Sequence, residues 1–112
     1  MLIGQQGEML AAKYFEENGY QILYKNWRQQ HWEIDIIASK NNTLHIIEVK
    51  TASNNRFGYP DDNVSQMKIN YLINAAEIFL FQQPQWEQIQ FDVLAITLNP
   101  TVSYYLIEDV YL

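Results

Sequence analysis

Cysteine is absent from the chain, which excludes disulfide bonds, thiolate zinc sites and cysteine nucleophiles and is typical of a cytoplasmic protein. No apolar run reaches the roughly eighteen residues of a membrane-spanning helix, and no basic segment followed by an apolar one indicates a leader. Charged residues make up only 18% of the 112 residues and apolar residues 48%, a balance typical of an ordered core rather than of disorder. We therefore expect one cytoplasmic domain over residues 1–112 that does not bind membranes.

Lysine and arginine are missing from the last part of the chain. All seven lie before position 69, and the net charge of the whole chain is −6 at pH 7. An acidic protein is an unusual partner for nucleic acid, unless bound metal ions neutralise some of its acids and leave one face locally positive. Charge alone therefore also favours a second class of function, an acidic protein-interaction domain.

The hydrophobic pattern predicts an α/β domain with the element order α-β-β-β-α-β-β. Apolar residues at helical spacing predict a helix over residues 4–18, which Gly19 ends, and a second helix that ends near Phe81. Alternating or β-branched segments predict strands over 20–28, 33–38, 44–50, 89–97 and 102–110. A helix between the third and fourth strands sets those strands parallel, so we expect a mixed sheet flanked by helices.

The last predicted strand is apolar on both faces. Its segment Tyr104-Tyr105-Leu106-Ile107 contains no charged residue, as in a strand that is covered on both sides, and we expect it to be buried. An exposed strand of this composition would instead pair with a second copy and form a homodimer.

Two carboxylates are predicted to face each other across the hairpin of the second and third strands. With Asn41-Asn42 as a two-residue turn, Asp35 lies opposite Glu48 and Glu33 lies opposite Lys50. These four side chains then share one face, because residues two apart on a strand project from the same side. The flanking residues are expected in the core on the other face: Ile34, Ile36, Ile47 and Val49.

Facing carboxylates need a compensating partner. Opposed Cβ atoms lie about 4.5–5.5 Å apart, and two like charges at that distance destabilise a sheet unless one is protonated or a cation lies between them. Mg²⁺ is bound by one or two carboxylates with waters and phosphate oxygens, and Lys50 is placed to meet such a phosphate. The alternative is an exposed polar face with a Glu33–Lys50 pair.

Asp35, followed thirteen residues later by Glu48-Val49-Lys50, resembles the motif of the PD-(D/E)xK nuclease superfamily. Further segments match in order along the chain: Gly7-Glu8, Ala11-Ala12, Gly19-Tyr20, Asn26-Trp27-Arg28, Phe57-Gly58, Val64, Lys68 and Phe91-Asp92-Val93. Together they resemble the uncharacterised YraN-like family of bacteria, which is related by motif to archaeal Holliday-junction resolvases.

This resemblance implies a restriction-endonuclease-like fold and a metal-dependent endonuclease acting on nucleic acid, with DNA favoured as the partner. It implies that Asp35 and Glu48 hold Mg²⁺ or Mn²⁺, with the Val49 carbonyl as a further ligand. Lys50 would orient the attacking water or stabilise the charge on the phosphate. Glu8 matches an acidic position that resolvase-like relatives use as an extra ligand, although the helix dipole equally favours an acid there.

The remaining candidates are nucleic-acid-binding residues: Arg28, Arg56, Lys68, Lys25 and Gln66. Lys68 lies on an apolar helix face, where it either extends to solvent or reaches the metal site and binds phosphate. Ala52 occupies a position where the family usually has arginine, and Trp32 one where it has glycine; Arg56 can replace the missing charge. A nucleic-acid-binding module with a degenerate site is therefore an alternative function.

Overall fold

A computed structural model of the chain describes residues 2–54 and 66–110. Its elements are α1 (Ile3–Glu17), β1 (Gln21–Gln29), β2 (Trp32–Lys40), β3 (Thr43–Ala52), α2 (Gln66–Gln82), β4 (Gln88–Thr97) and β5 (Ser103–Ile107). The predicted order α-β-β-β-α-β-β is confirmed. Neither of the two described helices is long and apolar enough to cross a membrane.

The end of α1 follows from its sequence. Gly19 has φ +87°, a left-handed conformation that glycine adopts without steric cost. The Tyr20 amide donates to the Phe15 carbonyl at 2.9 Å, and the Asn18 side chain donates to the Tyr14 carbonyl at 2.7 Å. These bonds satisfy the last carbonyls of the helix and lead the chain directly into β1.

The five strands form one sheet in the order β1-β2-β3-β4-β5, in which β3 and β4 are parallel and the other neighbours are antiparallel. The predicted parallel pair is thus confirmed, and α2 lies in its connection. Ile47 packs in the core beside α1, whereas the adjacent Ile46 packs in the core beside α2. Because successive side chains of a strand point to opposite faces, the two helices cover opposite faces of the sheet.

The predicted hairpin register between β2 and β3 is confirmed. Asn41 and Asn42 have φ of 52° and 63°, as a two-residue hairpin turn with two left-handed residues requires. The ladder runs from Lys40↔Thr43 to Ile36↔Ile47 and ends there. Beyond that pair, in the described part of the chain, β2 continues beside β1 only and β3 continues beside β4 only. The sheet therefore divides between β2 and β3 at the next two residues, Asp35 and Glu48.

The prediction that Ile34 shares a face with Ile36 is wrong. Ile36 lies in the core beside α1, whereas Ile34 lies in the core beside α2. The change of face falls at Asp35, and on the neighbouring strand Asn26, between the ladder pairs Lys25↔Ile36 and Trp27↔Ile34, has φ 52°. The β1–β2 ladder keeps one register across this point, and its bulge lies elsewhere, between Ile22 and Tyr24. The left-handed backbone of Asn26 instead interrupts the regular pleat, so residues before and after Asp35 no longer follow one period.

The prediction of a buried last strand is also wrong. Among the described residues β5 pairs with β4 alone, and Tyr105 is 51% exposed. Tyr104 stacks on Tyr14 of α1 with ring centroids 4.9 Å apart, and Leu106 packs against the core beside α1. An edge strand has a neighbour on one side only, and its residue types do not reveal that position.

Candidate active site

The carboxylate of Asp35 lies at the point where the sheet divides. Its Oδ2 atom accepts a hydrogen bond of 2.8 Å from the backbone amide of Val49. This bond connects β2 to β3 just beyond the last ladder pair. The side chain is therefore fixed by backbone geometry at the mouth of the opening rather than free to rotate.

Glu48 faces Asp35 across this opening. The side chain of Glu48 is only 13% exposed, and the two carboxyl groups share a hydrogen bond. Burial, and then the negative charge of Glu48, raise the pKa of Asp35 from 3.8 to about 7. The bond from the Val49 amide and the charge of Lys68 act in the opposite direction but less strongly. The two facing acids therefore need a proton or a cation between them, as expected from the register of the hairpin.

Lys68 of α2 supplies one positive charge to this pair. Its Nζ atom lies 3.1 Å from Glu48 Oε1 and 5.2 Å from the centre of the Tyr71 ring. Tyr71 in turn is fixed to the start of β2, because its hydroxyl accepts a bond from the Glu33 amide at 2.9 Å and donates to the His31 carbonyl at 3.2 Å. Lys68 therefore contacts Glu48 while its side chain stays 39% exposed, and its binding of phosphate stays a prediction.

Lys50 follows Glu48 by two residues on β3, and its side chain is half-buried. β3 pairs with β4 without interruption from Thr43 to Ala52, so its side chains alternate regularly. Lys50 and Glu48 therefore leave the same face of the sheet as Ile46, which is the face that α2 covers. Glu48 and Lys50 of the predicted motif, together with Lys68, thus lie on one side of β3.

Glu8 approaches Asp35 from α1, on the face of β3 opposite to that of Glu48 and Lys50. A side chain at Gly7 would place its Cβ atom 1.9 Å from Thr51 Oγ1, so glycine permits the start of α1 to lie directly on β3. Glu8 accepts a hydrogen bond of 3.3 Å from the Asn26 amide group. A cleft of about 150 Å³ opens beside it, lined by Ile3, Gly4, Glu8, Asp35, Val49 and Thr51.

These residues offer oxygen ligands suited to a hard cation. In the described ranges, no three acidic, histidine or cysteine side chains come close enough together to form a metal cluster. Mg²⁺ does not need such a cluster, because it keeps several waters and takes one or two carboxylates together with phosphate oxygens. The pair Asp35 and Glu48 fits this requirement, with Glu8 on the far wall of the cleft. The Val49 carbonyl as a ligand stays a prediction.

The other basic candidates lie apart from this pair. Arg28 forms an exposed ion pair of 3.0 Å with Glu33 across the β1–β2 hairpin. Gln66 is exposed and donates to Asn70 one helical turn further along at 3.0 Å. Lys25 is exposed on β1, and Arg56 lies outside the described residues.

Comparison with known proteins identifies the family of this chain. A family model described as Uncharacterised protein family UPF0102 matches residues 7–96. The chain belongs to this family. It is 39% identical over 94 residues to a UPF0102 protein of Bacteroides thetaiotaomicron, covering 84% of this chain and 78% of the relative.

Other UPF0102 proteins match to a similar extent. The identity is 42% over 94 residues with one from Flavobacterium psychrophilum, covering 84% of this chain and 79% of the relative. It is 35% over 97 residues with one from Persephonella marina, covering 86% and 84%. The resemblance to an uncharacterised bacterial family is thus confirmed, and the matched range includes every acid of the candidate site.

Sequence reasoning missed two contacts that shape the site in this UPF0102 protein. Tyr71, which holds Lys68, was detectable as an aromatic residue three positions further along the same helix face. Gly7 is predicted only as part of the Gly7-Glu8 motif, without a structural role. Its role depends on how closely α1 approaches Thr51, and no local pattern records that distance.

A second polar pair lies away from the site. His45, expected to have an ordinary polar role, is 5% exposed and donates from Nδ1 to Asp92 Oδ2 at 2.6 Å. The Tyr20 ring lies 4.9 Å from the His45 ring. Burial, and then the charge of Asp92, raise the pKa of Tyr20 to about 12. His45 shares the α1 face of β3 with Ile47, whereas Glu48 leaves the opposite face with Ile46. The buried His45–Asp92 pair therefore belongs to the core.

Proposed function

We propose that this UPF0102 protein is a metal-dependent endonuclease that hydrolyses phosphodiester bonds in nucleic acid, with DNA as the favoured substrate. The observation that carries the proposal is the hydrogen-bonded, half-buried pair Asp35–Glu48 with Lys68 at 3.1 Å from Glu48. Two facing acids destabilise a sheet, so their presence at an opening between strands supports a cation-binding role over a structural one.

Asp35 and Glu48 would hold Mg²⁺ or Mn²⁺, with Glu8 and the Val49 carbonyl as further ligands. When bound, such a cation polarises the phosphodiester and lowers the pKa of a water molecule. The Val49 amide keeps the Asp35 carboxylate oriented toward the opening. Lys50, which leaves the same face of β3 as Glu48, orients the attacking water or stabilises the negative charge on the phosphate.

Basic residues near the site support nucleic acid as the substrate despite the net charge of −6. Lys50 and Lys68 lie on the site side of β3, and Lys25 and Arg28 are exposed on β1. Because each phosphate contact releases counterions, we expect binding of DNA to weaken steeply as the salt concentration rises.

The test is cleavage of a panel of linear, single-stranded and branched DNA and of RNA, in Mg²⁺ and in Mn²⁺. The wild type should cut at least one substrate, and Asp35→Asn or Lys50→Met should lower the rate by about 100-fold or more. Lys13→Met is the matched control, because Lys13 is exposed on α1 beside Glu17 and its loss changes the net charge equally. Cleavage that survives Asp35→Asn would contradict the assignment of this site.

The second candidate is a nucleic-acid-binding module without turnover. It is favoured by Ala52, which stands where the family usually has arginine, and by the engagement of Arg28 with Glu33. This module would bind branched or single-stranded DNA in a salt-dependent manner and show no product in Mn²⁺. Wild-type protein that binds the panel but cuts none of it decides for this alternative.

A further inference from the structure

Glu48 already has a cationic partner in the folded protein. Its carboxylate is 13% exposed and lies 3.1 Å from the Lys68 ammonium, whose side chain is 39% exposed. The same carboxylate is one of the two that the proposed metal needs. A divalent cation and this ammonium therefore compete for one group.

The contact is built into the fold rather than made by chance on the surface. Lys68 lies above the Tyr71 ring, at 5.2 Å from its centre, and Tyr71 is three positions further along α2, on the same helix face. The Tyr71 hydroxyl bonds to backbone atoms of Glu33 and His31. The beginning of α2 is thus tied to β2 in a way that directs Lys68 at Glu48.

We propose that Lys68 holds the place of the metal in the metal-free protein and is released toward the substrate phosphate when the metal binds. This inference rests on the proposed function. The Lys68 ammonium lies 3.1 Å from Glu48 Oε1, so a divalent cation bound to the same carboxylate repels the ammonium and neutralises the charge that retains it. The flexible stem of Lys68 has several rotatable bonds, and its partial exposure lets the head move into solvent without a large desolvation cost.

In this exchange the metal ion binds first and the Lys68 ammonium acts second. Before the metal arrives, Lys68 neutralises Glu48 and is not available to a phosphate. After the metal arrives, the same charge is free to bind the substrate, so metal and nucleic acid strengthen each other's binding. A lysine that merely neutralised the fold would not produce this coupling.

The deciding measurement is calorimetric titration of Mn²⁺ into wild-type protein, Lys68→Met and Lys68→Arg. Lys68→Met removes the competing charge but keeps an apolar stem over Tyr71, so Mn²⁺ should bind about 5- to 10-fold more tightly. Lys68→Arg keeps the charge and should bind Mn²⁺ like the wild type. Lys13→Met is the control for net charge and should leave the affinity unchanged.

The outcomes separate this inference from the proposed function. Tighter Mn²⁺ binding by Lys68→Met supports the exchange, including the case in which only that variant binds. Unchanged or weaker binding by Lys68→Met, beside a wild type that binds, overturns the exchange and leaves the endonuclease proposal standing. Failure of both proteins to bind Mn²⁺ overturns both.

A spectroscopic readout tests the movement itself. In protein labelled with ¹⁵N-lysine, the Nζ signal of Lys68 is the one that is lost in Lys68→Met. Saturating Mg²⁺ should shift this signal in the wild type and leave the Lys13 signal in place. Glu48→Gln should produce the released position without metal, and a Lys68 signal that Mg²⁺ does not move would contradict the proposal.

Discussion

Asp35 is the residue at which the stability of the fold and the proposed activity are in conflict. Its carboxyl group has a pKa of about 7, raised by burial and by Glu48. The folded protein therefore binds this proton more tightly than the unfolded chain, whose value is near 3.8. By linkage, the contribution of Asp35 to stability is fully present below pH 3.8 and is lost as the pH rises through about 7.

Replacing Asp35 by asparagine should make the protein more stable at alkaline pH. Asparagine keeps an oxygen acceptor for the Val49 amide and removes the charge that burial and Glu48 disfavour. We expect the free energy of unfolding to rise by about 1–3 kcal/mol at pH 8.5 and to change little at pH 4.5. Urea denaturation at the two pH values measures the difference.

The control for this prediction is Glu77→Gln, since Glu77 is exposed on α2 and carries the same charge. It should leave stability nearly unchanged at both pH values. Mg²⁺ should stabilise the wild type at pH 8.5 but not Asp35→Asn, because binding to the native state alone raises stability. An Asp35→Asn protein that is less stable than the wild type at pH 8.5 would be incompatible with this account.

The residue pattern predicts part of the site because that part depends on local rules. Asn41-Asn42 fixes the turn and with it the register, which runs to Ile36↔Ile47 and so makes Asp35 and Glu48 the next residues on the two strands. The contact of Lys68 with Glu48 follows from the distance between α2 and β3. That distance is set by packing of the whole core, and no spacing along the chain encodes it.

At the scale of elements, the approach of α1 to β3 depends on Gly7. A methyl group at this position would lie 1.9 Å from Thr51 Oγ1 and 2.9 Å from Thr51 Cβ. Because Glu8 follows directly, displacement of this turn of α1 would also move Glu8 away from the cleft that it shares with Asp35.

Gly7→Ala should therefore lower the free energy of unfolding by about 1–3 kcal/mol, the usual cost of inserting a methyl group into a packed contact. The matched control is Gly4→Ala in the same helix, where a Cβ atom meets nothing within 4 Å. That change should be neutral or stabilising by up to about 1 kcal/mol, since alanine favours helix more than glycine does.

A double-mutant cycle with Thr51→Ala tests the origin of the cost. Removing the Thr51 hydroxyl and methyl relieves the shortest contact but leaves Cβ in place, so Thr51→Ala should recover part of the loss. If Gly7→Ala and Gly4→Ala have equal effects in urea denaturation, the helix does not pack on β3 as described.

The strand period fails as a predictor at one place. The rule of alternating faces holds along β3 but not through β2, where it breaks at Asp35, beside the left-handed Asn26, and Ile34 lies on the α2 side. A left-handed asparagine is compatible with many backbone contexts, so the sequence does not predict this break. The irregularity coincides with the acid that the proposed site requires.

At the scale of the whole molecule, the order of elements was predictable and the environment of the sheet edges was not. A helix between two strands determines that β3 and β4 run parallel. The position of β5 at an edge depends on which strands have neighbours on both sides, so its apolar composition indicated a buried strand. The homodimer through β5 stays a prediction.

Two acids near the middle of the sheet have different surroundings. Asp35 lies at the opening, whereas Asp92 is fully buried and accepts bonds from His45, from the Gln90 side chain at 2.8 Å and from the Asp109 amide at 3.0 Å. Asp92 thus connects β3, β4 and the segment after β5. These donors satisfy the Asp92 carboxylate, so its charge stabilises the fold and needs no bound ligand.

The same substitution should therefore have opposite effects at the two positions. Asp92→Asn weakens the charge-assisted bond to His45. The new asparagine NH₂ group also points at a hydrogen-bond donor, so the free energy of unfolding should fall by about 2–4 kcal/mol. Asp35→Asn should raise it at alkaline pH, as argued from its pKa. Mn²⁺ affinity of the folded protein should survive Asp92→Asn and be lost in Asp35→Asn. Equal loss of metal binding in both variants would place Asp92 in the functional site and remove the distinction between a stabilising and a reactive acid.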